Sequence, residues 1–311
     1  MSQPGTLIIS HPVCVEHDTG TGHPESPNRL RAVHAALDKP EFADLERREA
    51  PEATAEQIGR VHEGDYLDRL LAAIPASGLD ALDPDTVVSP KSGEAALRAA
   101  GAVCAAVDAV ATGEARNAFC AVRPPGHHAE PGRAMGFCLI NNVAVGALHA
   151  RAVHGFTRIA VVDFDVHHGN GTQAAFESDG ELFYASTHQY PFYPGTGAES
   201  ATGIGNIVNV PFPADADSAD FRMAMAGRIL PALAEFSPDF LFISAGFDAH
   251  EDDPLAQVRL VEDDYLWVTG ELLAIAKTCC AERVVSVLEG GYSLEALAAS
   301  TYAHVRGLMT G

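Results

Sequence analysis

Lysine is almost missing from this 311-residue chain: Lys39, Lys91 and Lys277 are the whole complement, and Lys and Arg together number 20 against 42 Asp and Glu. The formal net charge is −22, with no basic run anywhere. So acidic a body repels phosphate backbones and anionic lipid surfaces, so neither nucleic acid nor membrane is an expected partner. A cationic substrate, by contrast, would be drawn inward. No window reaches the ~18 consecutive apolar residues of a membrane span; the richest stretch, Ala95–Ala111, is broken by Arg98 and Asp108. Met1–Ser10 carries no basic residue ahead of its short apolar run, which argues against a secretory leader. The six cysteines include no Cys-x-x-Cys pair, and Cys279–Cys280 is too close for an ordinary bridge. They read as buried thiols in a reducing compartment, so a cytoplasmic protein is expected.

What is present is an alternation. Short β-branched or aromatic runs at Thr6–Ser10, Ala118–Arg123, Arg158–Asp163, Leu182–Ser186, Phe240–Ser244 and Val284–Leu288 predict buried strands. Apolar residues at three- and four-residue spacing predict helices over Gly93–Ala111, Phe137–Val153, Ser218–Glu235, Asp263–Cys279 and Leu294–Leu308. Asp263 and Ser293 are expected N-caps, and Pro231 an expected kink or break. Strands alternating with helices predict an α/β fold with a mostly parallel open sheet flanked by helices. No repeat, low-complexity tract or linker divides the chain, so residues 1–311 are expected to form a single domain, with Ala50–Pro90 as loop-rich elaboration.

In such a sheet, ligands bind beyond the carboxyl ends of the strands. The polar clusters of this chain fall there: Gly126-His127-His128, Asp163-x-Asp165-x-His167, Thr187-His188, Gly246-Phe247-Asp248 and Glu289-Gly290-Gly291-Tyr292. At a period of two, Asp163, Asp165 and His167 project to one side of an extended segment. Clustered carboxylates repel unless a cation joins them, and one His with two Asp can hold zinc with a position left open for catalysis. Asp248 is the natural third ligand from another strand end. A histidine of the His127-His128 pair beside that metal would be a good general base. Tyr292 follows two glycines and can reach across the rim, although a lone tyrosine there is more readily explained by packing. Gly195-x-Gly197 and Gly203-x-Gly205 do not join a strand to a helix, so they are loop glycines rather than a dinucleotide fingerprint.

Arg123-Pro124-Pro125-Gly126-His127-His128, Gly136-Phe137-Cys138, the run from Asp163 to Gln173, Ser244–Asp248, Leu288–Tyr292 and His23–Arg29 together resemble the zinc-dependent histone deacetylase family. The likeness is greatest to its class II members and the bacterial deacetylase-like amidohydrolases. It covers nearly the whole chain. The resemblance implies an arginase/deacetylase-like fold and one catalytic zinc held by Asp165, His167 and Asp248. It implies His128 as general base and acid, His127 as its electrostatic partner on Asp163, and Asn170 behind His128. Tyr292 would donate to the amide carbonyl and then to the oxyanion. Phe137 and Tyr193 would wall an acyl-lysine tunnel, Tyr193 standing where the family usually has Phe, and the Gly136 carbonyl would accept from the substrate. Asp85 would take backbone amides at the rim. A structural potassium ion would sit at Asp163, Asp165, His167, Ser186 and Thr187, and a second at Phe176, Asp179, Leu182 and Asn206.

The substrate expected from this likeness is an acetyl-lysine peptide or protein. A small acetylated polyamine is the alternative: relatives that prefer one carry Glu after the Asp-Pro that follows the third ligand, where this chain has Leu255. A non-catalytic acetyl-lysine binder is a third reading, weakened because every catalytic position holds a competent residue. Iron(II) could replace zinc on ligand type alone, and a homo-oligomer is left open. A ureohydrolase-like binuclear centre would need an Asp-x-Asp where the chain reads Asp248-Ala249-His250.

Overall fold

The structure, a computed structural model, describes residues 5–310, so the first four residues and Gly311 of the expected domain lie outside it. Ten strands occur among these residues: β1 (Thr6–Ser10), β2 (Glu46–Glu49), β3 (Asp80–Ala81), β4 (Val87–Val88), β5 (Asn117–Cys120), β6 (Ile159–Asp163), β7 (Leu182–Gln189), β8 (Ile207–Phe212), β9 (Phe240–Ala245) and β10 (Val284–Leu288). Eight form one sheet in the order β2-β1-β5-β10-β9-β6-β7-β8, every neighbouring pair parallel. The remaining two pair antiparallel as a small hairpin, β3-β4, within the loop-rich segment. Strands β5, β6, β9 and β10 are buried along their whole length, which is why they read as unbroken apolar runs.

The register decides where the chemistry lies. Cys120 pairs with Val287, Val287 with Ser244, Ser244 with Asp163 and Asp163 with Ser186. Five neighbouring strands are therefore level at this row, and the polar clusters begin within a few residues beyond it.

Several boundaries differ from expectation, each for a local reason. The helix expected from Phe137 begins at Asn142, because Asn141 caps it by accepting the Ala144 N–H at 3.1 Å. The preceding Met135–Cys138 segment is a tight turn with reciprocal backbone bonds of 3.1 and 2.9 Å. Its two central residues, Gly136 and Phe137, both have positive φ (57° and 67°), as a mirror-image two-residue turn requires. Strand β5 ends at Cys120, three residues before Arg123. The helix expected over Ser218–Glu235 widens to a π turn at Met225–Ile229 before Pro231, which places the residue without an N–H in the first turn of the next α segment. Asp263 lies inside its helix, and the Asp264 carboxylate accepts the Val261 N–H at 3.1 Å instead. Strands β2 and β8 and the helix Pro27–Leu37 were not among the expected elements.

Candidate active site

Beyond β6, the chain turns so that Asp165 and His167 meet Asp248 from the end of β9. His167 Nδ1 lies 3.2 Å from Asp165 Oδ1 and 3.0 Å from Asp248 Oδ2, and all three residues are buried. One ligand atom from each falls within 4.8 Å of the others. The remaining carboxylate lone pairs face backbone donors: Val166 N–H to Asp248 Oδ1, His167 N–H to Asp165 Oδ1 and Gly290 N–H to Asp165 Oδ2, each at 2.8 Å. Two glycines make room for this. A Cβ on Gly246 would come within 2.0 Å of Asp165 Oδ2, and one on Gly290 within 2.2 Å of Asp248 Oδ2.

Electrostatics leave the trio short of positive charge. Burial and the neighbouring Asp165 push the Asp248 carboxyl up to about 7. Burial opposes charge on His167 too, but its two carboxylate partners raise it to about 10. A proton on Nδ1 thus balances two buried carboxylates where a divalent cation would do so better, and the O,O,N donor set suits zinc. A second grouping, Asp108, His149 and His154, also brings ligand atoms together. There, however, His149 Nδ1 faces donors from Gln57 (3.3 Å) and Arg60 (3.2 Å), which fixes its hydrogen on Nε2, 2.8 Å from Asp108. That arrangement is complete as hydrogen bonds and sets a guanidinium beside the ring, a poor place for a cation.

The two tandem histidines differ in charge. His127 Nδ1 bonds Asp163 Oδ2 at 2.9 Å, and Asp163 also accepts the Tyr184 hydroxyl at 3.1 Å. Burial works against a charge on His127, yet the Asp165 and Asp163 carboxylates hold its pKa well above the usual imidazole range. His128 Nδ1 bonds Asn170 Oδ1 at 2.8 Å, while the Asn170 amide N–H groups are directed at Glu130 and the His128 carbonyl. Burial, then the neighbouring His127 and His167, hold His128 well below that range. Its ring is therefore neutral with Nδ1 as donor, which leaves Nε2 as a free base.

These groups open into a cavity of about 200 Å³ lined by Asp85, His128, Gly136, Phe137, His167, Phe192, Tyr193, Leu255 and Tyr292. Every substrate-contact residue expected from the sequence is in that lining. Phe192 was not expected; its ring stacks on His167 at 5.6 Å, and only its adjacency to Tyr193 could have signalled it. Tyr193 sets its edge against His128 at 5.2 Å. Phe137 sits edge-on to Tyr292 at 5.9 Å and to His23 at 4.9 Å, and its N–H is held by Thr86 Oγ1 at 3.2 Å. Gly136 must be glycine, since a Cβ would strike the His128 ring at 2.5 Å.

A layer of buried charge beneath the site carried no role in the sequence reading. Glu25 receives Arg123 Nε at 2.5 Å and Arg29 Nη1 at 2.8 Å, and the pair of guanidinium groups outweighs burial to hold its carboxyl down at about 2. Arg29 donates onward to the carbonyls of Gly291 (2.6 Å) and Glu289 (2.5 Å) and lies over the Tyr292 ring at 4.9 Å. Glu289 accepts the backbone N–H groups of Gly126 (2.7 Å) and His127 (3.1 Å), and burial pushes its carboxyl up to about 7. These residues stood in the sequence as members of the His23–Arg29, Arg123–His128 and Leu288–Tyr292 motifs, without a role of their own.

Of the first potassium set, register puts Asp163 directly beside Ser186, and Thr187 follows in β7. In the second set, the carbonyls of Phe176, Asp179 and Leu182 do converge. They converge on Asn206 Nδ2, at 2.9, 3.0 and 2.7 Å, so a neutral amide satisfies them.

The histone deacetylase domain model matches residues 23–308. The chain belongs to the histone deacetylase family. It is 38% identical to Type-2 histone deacetylase 2 of Dictyostelium discoideum over 93% of this chain, although it spans only 20% of that protein. It is 41% identical to the histone deacetylase-like amidohydrolase of Pseudomonas aeruginosa over 90% of this chain and 75% of that one. Among solved structures, the HDA15 HD domain superposes with a TM-score of 0.93 at 35% identity, covering 99% of this chain and 89% of that one. The eight-stranded parallel sheet is accordingly the arginase-like fold of that family, and the chain is a deacetylase-family hydrolase with an acetylated compound as its class of substrate.

Proposed function

We propose that this protein is a zinc-dependent deacylase that hydrolyses the side-chain amide of acyl-lysine in a peptide or protein. The observation that carries the reading is one cavity lined by a neutral His128, by Tyr292 and by His167, whose ring is clustered with the buried Asp165 and Asp248. Asp165, His167 and Asp248 would hold one zinc, which when bound supplies Lewis acidity to the amide carbonyl and to water at neutral pH.

The protein's own groups would do the rest. His128, with its Nδ1–H tied to Asn170, presents Nε2 to take a proton from water and later deliver one to the leaving amine. His127, kept cationic by Asp163 and Asp165, adds fixed positive charge where negative charge develops. Burial keeps the Tyr292 hydroxyl protonated, so it can donate to the carbonyl oxygen as that oxygen becomes an oxyanion. Phe137, Phe192 and Tyr193 would enclose the four-carbon stem of lysine and exclude water, while Gly136 would accept the amide N–H. At the mouth, Asp85 would accept peptide amides; its backbone carbonyl, held by His23 Nε2 at 3.1 Å, steadies the loop.

Leu255 favours peptide over polyamine. It lines the cavity where a carboxylate would be needed to pair a distant ammonium, and burying an unpaired ammonium is costly. The test is turnover of an acetyl-lysine peptide beside acetylputrescine, with and without a chelator. The expected result is chelator-sensitive turnover with kcat/KM higher for the peptide. A tenfold preference for acetylputrescine would overturn the acyl-lysine reading, and chelator-insensitive turnover would overturn the metal.

A further inference from the structure

Asp253 is not part of the machinery described above, yet it is buried and its carboxylate is saturated with backbone donors. Oδ2 accepts the Tyr292 N–H at 2.7 Å and the Ser293 N–H at 3.3 Å, and Oδ1 accepts the Leu255 N–H at 3.0 Å. Its own N–H is fixed to the His250 carbonyl at 2.9 Å, two residues after Asp248. One side chain thus joins three things: the segment that leaves β9 with Asp248, the Leu255 wall of the cavity, and the backbone of Tyr292 on the segment that leaves β10.

The Tyr292 segment needs such a tie. It enters through Gly290 and Gly291, the latter at φ 125°, so its own backbone restrains it weakly. Tyr292 and Ser293 are only half-buried, and the helix they precede starts at Leu294. From the other side, the loop is held by Arg29 through the Gly291 and Glu289 carbonyls. Arg29 binds the acceptors of the turn, and Asp253 binds its donors. A hydrogen-bond donor aimed at a developing oxyanion loses its worth when displaced by a fraction of an ångström, so the backbone anchor matters as much as the hydroxyl.

We propose that Asp253 is a positioning residue for the Tyr292 hydroxyl, acting through the Tyr292 backbone N–H; this rests on the reading of Tyr292 as the oxyanion donor. The test is a double-mutant cycle on full-length, metal-loaded protein, measured with an acetyl-lysine peptide. Asp253→Asn keeps the size of the side chain but turns one acceptor into a donor. Asp253→Glu keeps the charge and shifts the carboxylate, and it serves if the first variant does not fold. Either change is expected to lower kcat about tenfold or more with KM changed less than threefold. In a Tyr292→Phe background, where the hydroxyl to be positioned is gone, the same change is expected to lower kcat less than twofold.

A purely structural role, or an effect through Asp248 and the metal, would lower the rate equally in both backgrounds, and that result overturns the proposal. So does a wild-type rate for both Asp253 variants. If Tyr292→Phe alone keeps the full rate, the reading of Tyr292 fails, which is a different result from a cycle that is additive.

Discussion

The histidine pair illustrates how two identical side chains in succession acquire opposite charge states. His127 faces Asp163 at 2.9 Å, and His128 faces the amide oxygen of Asn170 at 2.8 Å. A carboxylate partner keeps the first ring protonated; a neutral partner, burial and the cationic neighbour keep the second a free base. His128→Ala and Tyr292→Phe should therefore keep fold and metal while losing turnover. For Tyr292→Phe, the loss of one oxyanion donor predicts a drop of about 10²–10³ in kcat. Metal content and circular dichroism serve as controls, and a near wild-type rate for either variant would show its role to be misassigned. Most of these residues were legible in the sequence because they sit next to strand ends in unusual composition. Asp253, Glu289 and the Glu25–Arg29–Arg123 group had no legible role, since their work depends on partners the fold brings together, such as Arg123 for Glu25 and the backbone amides of Gly126, His127, Tyr292 and Ser293 for Glu289 and Asp253. Phe137 was legible as a wall but not as a turn residue: a bulky side chain at positive φ runs against local preference.

At the scale of elements, the inner strands of the large sheet were readable and its two edge strands were not. Strand β2 is Glu46-Arg47-Arg48-Glu49, an edge whose side chains are mostly exposed, and β8 carries Pro211 at the opposite edge. Strand β2 shows no apolar run, because an edge strand need bury little, whereas the largely buried β8 has its run interrupted by Asn209 and Pro211. Helix ends failed where a side chain rather than periodicity sets the boundary, as at Asn141. The ties between elements make a further prediction. His304, on the helix Leu294–Thr310, bonds Thr269 of the helix Glu262–Cys279 at 2.6 Å and Ser286 of β10 at 2.8 Å. The Thr269 hydroxyl already donates to the Tyr265 carbonyl, so His304 Nδ1 is the donor there, and in the neutral ring Nε2 accepts from Ser286. The ring is bound neutral, and burial holds it down at about 3. An unfolded histidine takes its proton near 6.5, so the unfolded chain binds more protons between those values and this contribution to stability falls as pH falls. Glu289, raised to about 7, contributes with the opposite sign, so the test is differential. Between pH 6.5 and 5, wild type should lose about 2 kcal/mol relative to His304→Gln in denaturant unfolding. A gap between the two that is constant with pH would contradict this.

The whole molecule is a device for making strand ends level. Parallel register brings Cys120, Val287, Ser244, Asp163 and Ser186 into one row, and the four central strands of the sheet, β5, β10, β9 and β6, each release a loop into the same volume. This is why a set of motifs spread over nearly the full chain could be read as one site before any coordinates: periodicity identified the strands, and an all-parallel sheet puts their carboxyl ends on one rim. Strand order and register, which depend on long-range packing, had to come from the structure. The net charge of −22 belongs to this scale as well, since it would draw a cationic chain toward an acidic body while the cavity, on the proposed function, would accept a neutral acyl amide. Within that body, two buried carboxylates and an imidazole share one small space, while the Asp108–His149–His154 group is already complete in hydrogen bonds. Elemental analysis of the purified protein, alongside its Asp248→Asn variant, tests the account most directly. One tightly bound zinc or similar divalent transition metal per chain is predicted, lost together with deacetylase activity in the variant. Full activity without metal, or two tightly bound metals per chain, would contradict it.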